Sequence, residues 1–228
     1  MLKKRDIILI ACFFLIIIAT IIYGQALNEQ GMQVRLWNWT NLLIMLPLIP
    51  LAFMQKKAGL PAYSGSKGMS QTLKFPVLAG IIFGLLDVLV IKVLLHPEPY
   101  TSLPPFLQPF PYSIFLYTSG ALDIELYYRL LPSTLFLLAS PYVGKGKYRK
   151  GIIIFLAVVT SLIEPIMQLP SGNAWLIFYS FITGLAMNGL QFYFLIRSGF
   201  LAQLSVRLGH YLIWHILLGI YVQFIELA

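Results

Sequence analysis

Seven stretches of this chain stay apolar for about the 20 residues that a helix needs to cross a bilayer, and that repetition limits the fold more than any other feature. They run approximately over 7–24, 38–54, 75–95, 112–140, 151–169, 174–196 and 199–226. With 59% hydrophobic and only 11% charged residues, the chain cannot build a soluble surface. The expected fold class is therefore all-α: a polytopic transmembrane helix bundle of about seven spans, forming one integral membrane domain over 1–228.

Local signals refine the spans. The first follows Lys3, Lys4 and Arg5 and ends near Gly24-Gln-Ala26, which looks like a signal-peptide cleavage site, but its length favours an uncleaved helix. The second is short and carries Pro47 and Pro50, which should break or kink it. In the fifth, Pro165 frees a backbone carbonyl next to Glu164. Gly80 and Gly84 make a close-packing face on the third. Trp37, Trp39 and Trp175 near span ends read as interface anchors. The stretch 59–68 is rich in Gly and Ser and reads as mobile. The proline- and aromatic-rich stretch 96–111 reads as ordered against the membrane surface. Cys12 is the single cysteine and lies in an apolar run, so there is no disulfide framework.

Charge gives an orientation. Lys3, Lys4, Arg5, Lys56, Lys57, Lys67, Lys74, Lys145, Lys147, Arg149, Lys150 and Arg197 fall on alternate connections, and only Arg35 falls on the others. Positive-inside asymmetry then places the amino terminus in the cytoplasm and the carboxyl terminus outside. The net charge of +8 follows from this bias and does not suggest nucleic acid, since no basic residues gather on a soluble face. The lipid bilayer is the expected partner.

Ionisable residues inside apolar stretches are costly and mark function by default. In Asp123-Ile-Glu125-Leu-Tyr-Tyr-Arg129, Glu125 and Arg129 are four apart and can pair on one helix face. Asp123 lies about 200° round the helix from Glu125, so these two carboxylates do not form an acid/base pair. Arg207 and His210 share a face of the last span and can reach carboxylates of the fourth or fifth. His215 points elsewhere and reads as a bystander. Asp87, five before Lys92, is expected to pair with another helix. Glu125, Glu164 and His210 could supply three metal ligands from three helices, but no paired-ligand spacing argues for a metal, and no cofactor is named.

Taken in order, the second half resembles the CAAX-protease and bacteriocin-processing family of intramembrane peptidases. That family carries Glu-Glu-x-x-x-Arg, Phe-x-x-x-His and His-x-x-x-Asn on successive helices. Ile124-Glu125-Leu-Tyr-Tyr-Arg129 resembles the first motif, with Ile for the first Glu. Thr160-Ser-Leu-Ile-Glu164-Pro-Ile-Met-Gln168 resembles the second region, with Glu164 for Phe and Gln168 for His. Gly184 through Arg197-Ser-Gly199 to Gly209-His210 resembles the third, with Trp214 for Asn. The resemblance implies amino-terminal helices over 1–111 and a CAAX-protease-like core over 112–226. It also implies candidate catalytic residues Glu125, Glu164 and His210, with Arg129, Gln168, Arg207 and Asp123 lining the cavity or structural.

The departures imply an eroded site, because losing a positioned general base costs a factor of about 10²–10⁴. The expected role is a non-catalytic relative that binds a membrane-embedded peptide or partner protein. Two alternatives stand beside it: an active intramembrane endopeptidase of this family, and a small transporter using a Glu/His/Arg relay.

Overall fold

The computed structural model describes residues 2–65 and 69–228. Lys67 and the last part of the 59–68 stretch lie outside the described residues. Among the described residues the chain forms seven helices and no strand. They are α1 (Lys4–Glu29), α2 (Trp39–Met54), α3 (69–95), α4 (112–139), α5 (Arg149–Met167), α6 (Ala174–Ser198) and α7 (Phe200–Glu226). Four stretches, Lys4–Glu29, Ser70–Leu95, Arg149–Met167 and Phe200–Glu226, are long and apolar enough to cross a membrane. The outer faces are correspondingly greasy: Leu15, Phe75, Leu94, Ile154 and Ile225 are each at least 65% exposed, far more than a water-soluble surface carries in one band.

Each boundary has a local cause. The Asn38 side chain, preceding α2, accepts hydrogen bonds from the backbone N–H groups of Thr40 and Asn41, while Asn38 N donates to Asn41 Oδ1, a reciprocal cap. The α2 helix breaks between Ile44 and Leu48, at Pro47, as the prolines require. At the start of α6, the Asn173 side chain accepts from Leu176 N. Between α6 and α7 the chain reverses on Gly199 alone, at φ +100°. A Cβ there would collide with the Ala62 carbonyl oxygen, so both the dihedral and the space demand glycine.

Packing is organised around α7. Its backbone at Val206 and His210 lies directly against Gly80, and Ile213 lies against Gly84. The two glycines therefore let α3 and α7 touch backbone to backbone, as small residues do in membrane helices. On the other side, Phe13, Ile17 and Ile21 of α1 share an apolar core with Leu122 and Leu126 of α4 and with Phe200 and Leu204 of α7. A Thr20–Ser119 hydrogen bond of 2.8 Å ties α1 to α4 within it. Gly184 of α6 rests on Pro165 of α5.

The connections gather at two ends. At one, Lys3 Nζ donates to Gly65 O and Arg149 Nη2 to Ala58 O, beside most of the basic residues. At the other, Arg35 N donates to Gln108 Oε1, Phe110 N to Gln223 Oε1 and Tyr100 N to Glu226 Oε2. The 96–111 segment is ordered against the helix ends. Two expectations are corrected here. Trp37 is buried in the core, 8% exposed, and is no interface anchor; Trp39 and Trp175 are exposed. His215 is not directed away from the polar residues, as the next section describes.

Candidate functional site

Four charged side chains from three helices close into a ring at the centre of the bundle. Arg129 Nη1 meets Glu125 Oε1 at 2.9 Å and Arg129 Nη2 meets Glu164 Oε2 at 3.0 Å. Arg207 completes the ring, with Nε to Glu125 Oε1 at 2.5 Å and Nη2 to Glu164 Oε2 at 2.5 Å. A third bond, Arg207 Nη1 to Glu164 Oε1 at 2.7 Å, makes that contact bidentate, the geometry for which the planar guanidinium is suited. Glu125 and Arg129 are fully buried, Arg207 is 2% exposed and Glu164 6%. Isolated charges there would be prohibitive, and two of each sign is the arrangement that a low-dielectric interior tolerates.

Glu125 is held further by two amides. Gln191 Nε2 donates to its Oε1 at 2.8 Å, and Gln203 Nε2 donates to its Oε2. Donors therefore occupy both carboxylate oxygens. These amides come from α6 and α7, so the carboxylate of α4 is the point at which three helices are registered. The sequence did not mark Gln191 or Gln203; their only signal was two amides inside apolar stretches.

Beside the ring lies a cavity of about 420 Å³, within the size range of small-ligand sites. Glu164, Gln168, Arg207 and His210 line it, together with Asp87, Asn188 and the rings of Phe83, Phe106, Tyr211 and Trp214. Glu125, expected with Glu164 and His210 among the catalytic residues, does not line it and stands behind Arg207. Gln168 is exposed at the end of α5. Asp123 is half-buried and takes no part in the ring or the cavity.

A second polar pair is one that the sequence left open. His210 Nε2 donates to Asp87 Oδ2 at 2.7 Å, and Tyr179 OH donates to Asp87 Oδ1 at 2.8 Å. Asp87 thus meets its partner on another helix, and that partner is the candidate catalytic histidine. The bond uses one ring nitrogen, and His210 Nδ1 is buried with no partner among the described residues. His215 lines the same cavity. Its Nδ1 donates to Phe106 O at 2.8 Å, and its ring stacks on Tyr117 at 4.1 Å between centroids. Trp214 stacks on Phe106 at 5.3 Å, closing the cavity beneath the 96–111 segment.

These side chains are aimed by departures from α-helical winding. α3 widens to a π-helix over Val88–Leu95, immediately after Asp87. α4 does so over Leu126–Leu130, immediately after Glu125 and including Arg129, and α7 over Leu212–Leu217, immediately after Tyr211. Such turns are rare and concentrate where a side chain must be re-aimed. Among the described residues no group of three or more His, Cys, Asp or Glu side chains is placed to hold a metal ion. Glu125, Glu164 and His210 therefore do not converge as a ligand set, since arginines separate them. Comparison of the chain with protein-family models, with characterised proteins and with solved structures found no match in any of the three.

Proposed function

We propose that the chain is a seven-span membrane protein of CAAX-protease-like ancestry whose peptidase site has eroded, and that its cavity binds a membrane-embedded peptide or partner segment. One observation carries this reading: neither ring carboxylate is free to activate water, because guanidiniums and amides hold Glu125 and two guanidiniums hold Glu164. A general base must reach the proton it removes, and here all four carboxylate oxygens already accept from guanidinium or amide donors. The convergence of α4, α5 and α7 on one polar cluster supports the resemblance. The apolar outer faces support residence in a bilayer.

Purified protein in nanodiscs, given fluorogenic transmembrane peptides with and without added Zn²⁺, is expected to give no cleavage above empty nanodiscs. Cleavage by the unmodified protein that disappears in His210→Ala would overturn the non-catalytic reading.

Topology follows from the clustering of basic residues at one end of the bundle. A reporter fused after Ala228 is expected outside the cell, and one inserted in 145–150 in the cytoplasm. A cytoplasmic reporter at Ala228 would remove one span, the proline-broken α2 being the shortest.

A further inference from the structure

Inside the bundle, charge is matched within the chain. The ring holds Glu125, Glu164, Arg129 and Arg207, Asp87 meets His210, and Lys92 meets Glu226. Asp123 differs. Among the described residues it makes no ion pair and accepts no hydrogen bond, and both its oxygens keep accessible surface. It stands 11 residues beyond Tyr112, where α4 begins, or about 17 Å along the helix axis. A hydrocarbon core is about 30 Å thick, so for a helix entering at Tyr112 the carboxylate lies near the middle of the bilayer, beyond the reach of lipid headgroups.

The hydroxyls nearest to it along α4 are already committed. Ser119, one turn before, pairs with Thr20 of α1 at 2.8 Å, and Thr20 itself donates to Ile16 O. Tyr127, one turn after, donates to Ile44 O of α2 at 2.5 Å. Gly120 shares the face with Asp123, and a Cβ there would meet nothing within 4 Å among the described residues. A carboxylate left alone in hydrocarbon is costly. A proton would remove the charge but leave an O–H donor with no acceptor, so neither form is satisfied within the chain. A second copy offers no cation to match it, because Arg129, Arg207 and Lys92 are already paired.

We infer that this face of α4 docks a transmembrane helix of another protein that carries a basic residue near its midpoint. Asp123 is the counter-ion, and Gly120 is the point at which the two helices approach closely, as small residues allow in membranes. The inference rests on the placement of α4 across the bilayer. It is independent of the cavity, which Asp123 does not line.

The test is energy transfer in zwitterionic liposomes between the protein, labelled on a tag after Ala228, and single-span leucine–alanine peptides. The peptides carry a central lysine, norleucine or glutamate, or a lysine one turn from the end. The central-lysine peptide is expected to associate about tenfold more tightly than its norleucine analogue, the scale of a polar contact between membrane helices. Moving the lysine to the end, Asp123→Asn or Gly120→Leu should each remove that preference, and Asp123→Lys should transfer it to the glutamate peptide. Asp123→Asn alone should melt at or above the wild-type temperature; a clearly lower value would mean that the carboxylate is held inside the chain, and overturns the assignment. A lysine preference that survives Asp123→Asn places the lysine elsewhere, the cavity included, and overturns it too, as does equal association of lysine and norleucine peptides. Asp123-dependent transfer between two labelled copies, without a lysine preference, would replace the basic helix by a second copy. A reporter in 145–150 that is not cytoplasmic would instead remove the placement of α4 on which the inference rests. Should Asp123→Lys fail to fold, Asp123→Asn and the peptide series decide.

Discussion

Replacing Arg207 by leucine is expected to cost roughly 3–5 kcal/mol, the scale seen when one partner of a buried ion pair is removed, and to reduce the folded fraction to a trace. Arg207 contacts both carboxylates of the ring, so its loss leaves Glu125 and Glu164 sharing Arg129 with a net negative charge in hydrocarbon. Which charge is removed matters less than whether the remainder balances. Glu164→Gln with Arg207→Leu keeps the Glu125–Arg129 pair. Glu125→Gln with Arg129→Leu keeps the bidentate Glu164–Arg207 pair. Both doubles are expected to recover much of the loss. Glu125→Gln with Glu164→Gln leaves two bare guanidiniums and is expected to be worse than either single change. The measurement is monodisperse yield and melting temperature in detergent. Equal values for matched and unmatched doubles would remove charge balance as the organising force.

Gly80→Leu is the second large effect expected. Any Cβ at this position would run into the Val206 carbonyl and lie 2.8 Å from His210 N. Both are backbone of α7 and cannot swing aside. Even alanine forces α3 and α7 apart, with overpacking costs of about 1–3 kcal/mol, and leucine exceeds that. Because Asp87 and His210 lie on these two helices, their bond should be lost with the packing. Gly120→Ala is the control: among the described residues nothing lies within 4 Å of a Cβ placed there, and removing a helix-interior glycine should stabilise by about 0.5–1 kcal/mol. A Gly80→Leu protein that melts with the wild type would disprove the close α3–α7 contact.

Much of the architecture was legible because it depends on length. Apolar runs give helix ends to within about six residues, and Pro47 announces its own break. The Gly80–Gly84 face and the Glu125–Arg129 pair were legible for the same reason, since helical spacing fixes which side chains share a face. Spacing cannot say what that face meets. Asp87 and His210 are 123 positions apart, and the two glutamines on Glu125 look in sequence like any amide in an apolar helix. His215 was misread because the angular argument assumed α-helical winding through Leu212–Leu217, where the helix is π. Trp37 was misread because an aromatic beside a span serves equally as an anchor or as core, and only tertiary packing chooses.

The π-turns also let these helices absorb a change of length without turning what lies beyond it. A π-turn carries an extra residue relative to the α-helix around it. Removing one residue from Leu212–Leu217 would let that stretch wind as α-helix and leave the rest of α7 facing the same way. Glu226 would keep Lys92 Nζ, which it now meets at 2.9 Å, and Tyr100 N. Trp214 and His215, which line the cavity from within the turn, would be re-aimed. A single-residue deletion there would thus change one wall of the cavity while leaving both its charged floor and the tether of the 96–111 segment intact.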